Sequence, residues 1–335
     1  MYSASDVSAA SVAPPAPRRR ALLAIGLVAF VAGAVVAPQL LDRHGVAILV
    51  SIFFWASFSS SWNIIGGYAG QFSLGHAAFF AVGAYASAWT YRYLGLSPLV
   101  GLALGVAVAG LAAAALGAIV FRYKLLGTYF AIGTLAFSEI LRVTLGNVSW
   151  FGGSGGIPIP LAPEASWTLL QFQPVGYYYL FLALTLAYML LCWWIGRSRF
   201  GFQLAAVRDN EDVAETLGVR PESLKLRAFV LSAMTAAPVG TIYAQYVMFV
   251  EPQTFLSFSM VIQVVIPAVI GGLGTVFGPV LGAALLTLVI ELTSELAVRP
   301  GFSLFAYGCA LMVFPLLVPS GIWPLIRDFV ARRGR

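Results

Sequence analysis

Three polar side chains, Gln71, Ser73 and His76, stand in the stretch NIIGGYAGQFSLGHAA, residues 63–78, of an otherwise apolar chain. They offer hydrogen-bond donors and acceptors without the spacing of a nucleophile and its base or of a metal site. The chemistry open to them is recognition, because a polar solute crossing a bilayer needs partners for its charged ends. Tyr68, Thr128 and Thr134 lie on similar glycine-rich stretches and join them as candidates to line a path. Each of the six has a second reading, the satisfaction of helix–helix or backbone hydrogen bonds inside a bundle. Ionisable groups within apolar segments are few. Glu139 and Arg142 are three apart in FSEILR, and Glu291, Glu295 and Arg299 follow a four-residue spacing, so both sets are placed to pair locally. Local pairing is favoured, with a role in an outer vestibule as the other reading. The chain has two histidines, His44 and His76, and lacks the H-E-x-x-H, G-x-S-x-G and phosphate-loop patterns. Nothing therefore supports an enzyme, a metal site or ATP hydrolysis by this chain. Cys192 and Cys309 fall in separate apolar windows and give neither a disulfide framework nor a metal spacing.

These residues are carried by elements built for lipid. The sequence is 60% hydrophobic and 10% charged, against roughly 25% charged in soluble domains. Apolar windows of about 20 residues, the length that crosses the hydrocarbon as a helix, recur along it. The expected fold is an all-α polytopic membrane protein with about ten transmembrane segments, at 21–41, 45–65, 72–92, 98–121, 125–146, 174–196, 227–250, 259–270, 278–297 and 302–319. Residues 1–20, rich in Ala, Ser and Pro, read as a disordered tail, and 321–335 as a basic one. The first apolar run is long for a signal peptide and lacks a clear cleavage site, so it reads as a retained helix. Arg18–Arg20, the 122–124 turn, the 197–227 loop and the C-tail hold most of the 19 Lys and Arg residues, whereas the 147–173 loop holds none. That asymmetry places both termini in the cytoplasm. The formal net charge of +6 thus reports orientation, not nucleic-acid binding.

Glycine interrupts this pattern twice. Gly66, Gly67, Gly70 and Gly75 each weaken a helix by roughly 1 kcal/mol relative to alanine. With a constant offset of 205, VIGGLGTVFGPVLGAA at 269–284 overlays IIGGYAGQFSLGHAAF at 64–79, so that Gly271, Gly272 and Gly274 form a second interruption. Glycine-broken segments at matching places in two halves point to a substrate path or gate. Close helix packing through small residues is the alternative.

One polar segment remains, RSRFGFQLAAVRDNEDVAETLGVRPESLKLR at 197–227. Asp209 or Asn210 caps a helix there, Glu211, Asp212 and Glu215 suit its positive end, and Gly218 closes it. Val213, Ala214 and Leu217 form a short apolar stripe. A helix of about two turns needs a surface to pack on, whether a partner subunit, the membrane interface or the protein's own helix ends.

GGYAGQFSLGHAAFFAVGAY (66–85), GTYFAIGTLAFSEILR (127–142), GGSGGIPIP (152–160), AVRDNEDVAETLGV (206–219) and IGGLGTVFGPVLGAAL (270–285) stand in that order. Together they resemble the signatures of the membrane permeases of branched-chain amino acid ABC importers, over most of 45–320. The second and third stretches are most similar to the M-type permease, not to its shorter H-type partner. Urea and short-chain amide permeases share much of the pattern. The resemblance implies a permease domain over 21–320 in a bacterial inner membrane. Its partners would be an H-type permease, two ATPase subunits and a periplasmic or lipid-anchored binding protein. The chain would hold no cofactor, ATP and magnesium belonging to the ATPases. Arg208, Asp209, Asn210, Glu211, Glu215 and Gly218 match the family's coupling pattern. A stand-alone secondary transporter or channel, and a membrane scaffold without transport, are the readings from other classes.

Overall fold

The computed structural model describes residues 36–125, 127–161, 170–296 and 321–333, with Gly33 and Gly308. The tail 1–20, the span at 302–319, most of the span at 21–41, Arg299 and Cys309, and the side chains of Glu295, Arg332 and Arg333, lie outside the description. Residues 1–42 and 43–335 form two compact units. In the first, 36–40 are helical.

The second unit opens with α1, Arg43–Asn63, which runs into a π turn at Ile64–Tyr68. It continues through α2 (His76–Leu94), α3 (Pro98–Arg122), α4 (Thr128–Asn147) and α5 (Pro174–Arg197). Two short polar helices, α6 (Arg199–Asp209) and α7 (Glu211–Thr216), precede the long α8 (Pro221–Val247). The described chain ends with α9 (Pro252–Phe255), α10 (Phe258–Gly271), α11 (Gly278–Leu296) and α12 (Ile322–Arg333). One two-residue antiparallel pair, β1 (Ile157–Pro158) with β2 (Phe249–Val250), is the extended structure among the described residues.

Local chemistry sets several boundaries. Pro98, Pro174 and Pro221 stand at the first helical position, where the missing N–H costs nothing. Ser97 caps α3 by accepting from Leu99 N–H at 3.3 Å. By length and composition, Arg43–Tyr68, Pro98–Arg122, Pro174–Arg197, Pro221–Val247 and Pro252–Gly271 can each cross a bilayer, and Gly278–Thr293 is a shorter apolar helix.

Every expected span between 45 and 297 falls on a helix, with two corrections. The 227–250 span starts at Pro221, because the helix continues past its apolar part. The 72–92 span starts at His76, leaving Phe72 and Ser73 in a loop. That loop is held outside the helix: Trp62 Nε1 donates to the Ser73 carbonyl at 2.8 Å, and Thr134 Oγ1 accepts from Leu74 N–H at 3.0 Å. The C-tail carries helix α12, which the sequence reading did not anticipate.

α2, α3 and α8 pack against one another, while α1 sits among α5, α10 and α11. Small residues bring backbones together where no hydrophobic force exists between lipid-embedded helices. A Cβ on Gly240 would run into the Phe80 carbonyl, and Thr241 Oγ1 donates to the Gly83 carbonyl at 3.0 Å. Aromatic rings join the two groups, with Phe54 stacked on Tyr243 at 4.3 Å and Phe58 on Phe80 at 4.6 Å. α2 buries His76, Ser87 and Thr90 among these neighbours. It is shielded by protein, so its composition need not satisfy lipid.

Candidate functional site

The two glycine interruptions meet. The first is helix α1, its π turn and the 69–75 loop leading to α2; the second is α10, the 272–277 loop and α11. Asn63, the last residue of α1, spans the gap with both ends of its amide. Its Nδ2 donates to the Thr275 carbonyl at 3.0 Å, and its Oδ1 accepts from Gly274 N–H at 2.9 Å. In this way a side chain satisfies loop backbone that lipid would leave unpaired. A Cβ on Gly67 would collide with Gly274 N and with Asn63 Oδ1, so the contact requires glycine. Gly274 and Gly70 also have φ of +68° and +67°, conformations that L side chains rarely take. Of the others, Gly66 lies against the Trp62 ring, Gly75 against the Thr134 carbonyl, Gly271 against Gly278, and Gly272 against Pro324 of α12.

The polar segment is attached to this junction. It contains two helices before Pro221, where the sequence reading placed one spanning about 209–218, and Asp209 ends the first of them. Asn210 is the cap, its Oδ1 accepting from Val213 N–H at 3.1 Å. Gly218, at φ +83°, closes α7: its N–H donates to the Glu215 carbonyl at 2.9 Å and Val219 N–H to Ala214 at 3.1 Å. The apolar stripe divides. Ala214 is buried, whereas Val213 and Leu217 are 53% and 77% exposed. Glu211 pairs with Lys225 of α8, which is itself buried. Glu215 and Gly218 line an open cleft of about 410 Å³ together with Lys124, Arg220 and Glu222. Arg208 turns the other way. Its Nη1 donates to the Gly67 carbonyl at 3.0 Å, and its Nε lies 3.5 Å from Asp209 Oδ1.

The remaining candidates are dispersed. Tyr68 donates to the Cys192 carbonyl at 3.0 Å, and Thr134 to the Ala131 carbonyl at 3.0 Å. His76 is fully buried; its Nε2 lies 3.3 Å from Ser232 Oγ, while Nδ1 meets no partner. Gln71 Oε1 is likewise buried without a partner, and Thr128 is exposed at the start of α4. Glu139 and Arg142 pair with each other, and Arg142 also donates to Gln253. Glu291 pairs across helices with His44 at 2.9 Å. Sequence reasoning passed over Asn63, Trp62 and Lys225. The available signal was an amide three residues before a glycine pair at the end of a membrane-length helix, since a polar group at that place must find a partner.

Apolar spanning helices, broken by glycine at two facing points and fastened there to a polar helix pair, describe a multi-pass membrane transport subunit. Residues 45–316 match the family described as branched-chain amino acid transport system, permease component. The LivM permease protein of the high-affinity branched-chain amino acid transport system of Escherichia coli K12 is 31% identical, over 90% of this chain and 75% of that protein. LivM of Salmonella typhimurium is 31% identical with the same coverage. The autoinducer 2 import system permease LsrC of Yersinia pestis is 30% identical over 54% of this chain and 50% of its own. No solved structure matches. The chain belongs to the branched-chain amino acid transport permease family. It is a permease subunit that works with the other components of an ABC transporter.

Proposed function

We propose that this chain forms, with an H-type permease, the path by which branched-chain or related hydrophobic amino acids enter a bacterial cell across the inner membrane. The observation that carries this reading is the match to LivM, which extends over 90% of the chain. Two ATPase subunits drive the cycle, and a periplasmic or lipid-anchored binding protein supplies the substrate. ATP and magnesium are held by the ATPases. The chain crosses about ten times with both termini in the cytoplasm, in line with the distribution of its basic residues. On that orientation α6 and α7 project on the ATPase side. Asp209, Glu215 and the exposed Val213 and Leu217 form the docking face, while Asn210 and Gly218 fix the helix that presents it. Gln71 and His76, with buried atoms that have no partner, are the strongest candidates for the path wall. The glycine junction is the gate.

The test is purification followed by reconstitution. A complex retaining ATPase subunits, with ATP-dependent uptake of labelled leucine, is the expected result. Uptake by this chain alone in liposomes would overturn the importer reading. Uptake of urea in place of leucine would move the substrate to the amide and urea class.

A further inference from the structure

We infer that Arg208 is a positioning residue, a strut through which the α6–α7 pair holds both glycine interruptions in register. The inference rests on the coupling role proposed for that pair and adds the route by which its motion reaches the membrane. The motif match assigns Arg208 to the partner-facing set, yet its side chain, 40% exposed, lies along the glycine junction and bonds to it. Its stem crosses Gly70, where a Cβ would fall 2.5 Å from Arg208 Cγ. Its Nη1 lies 3.1 Å from the place a Cβ would take on Gly274, and bonds the Gly67 carbonyl at 3.0 Å. Two glycines, Gly70 and Gly274, one from each interruption, thus make room for the Arg208 side chain, and Gly67 supplies the acceptor. A charged donor on a carbonyl is about twice as strong as a neutral bond.

From Gly67 the contact continues without a gap. Gly67 abuts Gly274, and Asn63 binds Gly274 and Thr275 together. The route therefore runs from α6 through Arg208 to Gly67, and through Asn63 to the loop between α10 and α11. At its other end α7 is tied to α8 by Glu211 and Lys225. A displacement of α7 pulls on both halves of the bundle at one point. Transmission of this kind requires an element with two arrangements, and its evidence is energetic coupling between the sites.

The experiment uses the assembled importer in proteoliposomes. Arg208→Met keeps the stem and removes the donor; Asn63→Ala removes the bridge. Each is expected to keep the ATPase subunits bound and to lower uptake per ATP hydrolysed about tenfold or more. Arg208→Lys should recover part of the loss, and the double variant should be little worse than either single one, as members of one network are not additive. Wild-type uptake by Arg208→Met, multiplying losses in the double variant, or loss of the ATPase subunits from Arg208→Met would each overturn the strut. A measurement on the unsubstituted protein stands beside these. Addition of a non-hydrolysable ATP analogue should change amide-exchange protection in 208–218 and, together with it, in 63–75 and 270–278. A response confined to 208–218 would refute the strut and leave the coupling role standing. No response in 208–218 would refute both.

Discussion

Lys225 is 2% exposed and binds Glu211, whose own side chain is 30% exposed. The pair is asymmetric: the ammonium has no access to water if its partner goes, whereas the carboxylate has some. The two substitutions are therefore unequal. Glu211→Gln strands a buried charge and should cost about 2–3 kcal/mol, below the full range for buried pairs because Glu211 is partly open to water. Lys225→Met removes the charge, keeps most of the volume and should cost about 1 kcal/mol or less. Thermal unfolding in detergent should rank Glu211→Gln below Lys225→Met. The reverse ranking would show that the ammonium is not the anchor of α7.

Gly218 has open space around the position of a Cβ, so its requirement is conformational and not steric. At φ +83°, asparagine is tolerated and a β-branched residue is strained. Gly218→Asn should retain most uptake. Gly218→Val and Gly218→Arg should abolish it, with the protein still in the membrane. Wild-type uptake by Gly218→Arg would remove α7 from the coupling machinery.

Val213 and Leu217 face outward from α7 and make little of its internal packing. Leu217→Asp should leave the melting temperature of the isolated permease within a degree or two, since exposed changes are usually within about 0.5 kcal/mol. The same change should strip the ATPase subunits during co-purification. Glu215→Lys should do likewise by reversing the charge in the cleft. Intact complexes from both variants would place the ATPase contact elsewhere.

Gln71 and His76 separate a path wall from simple packing. If they face substrate, Gln71→Ala and His76→Ala should each lower uptake about tenfold, the loss expected for one hydrogen bond of roughly 1.4 kcal/mol. Their melting temperatures should change little in the case of Gln71. Normal uptake by both would return the stretch to a packing role.

Much of the helical body was legible because hydrocarbon thickness fixes a length. α1, α3 and α5 were read within two or three residues from apolar runs alone. α6 and the first turns of α8 were missed for the same reason, because hydropathy does not register a helix that continues through polar residues. Pro221 was the overlooked start signal. In the site, glycine types announced the two interruptions, and the offset of 205 paired them. The junction between them was not legible, since Asn63 and Thr275 are more than two hundred residues apart and an amide carries no mark of its partner. The bond from Arg208 to Gly67 was hidden by its place in a run of exposed charges. Only the fold distinguishes it from Asp209 beside it.

The π turn at Ile64–Tyr68 holds one residue more than an α turn would. Conversion to regular α-helix would break no chain continuity, yet would swing everything after Ile64 by about 100° around the axis of α1, the angle of one helical residue. The Gly67 carbonyl would then leave Arg208, and Gly70 would no longer lie beneath its stem. The extra residue and the guanidinium thus hold each other in place. A single-residue deletion within 64–68 would rephase the helix and part Arg208 from Gly67 in one step.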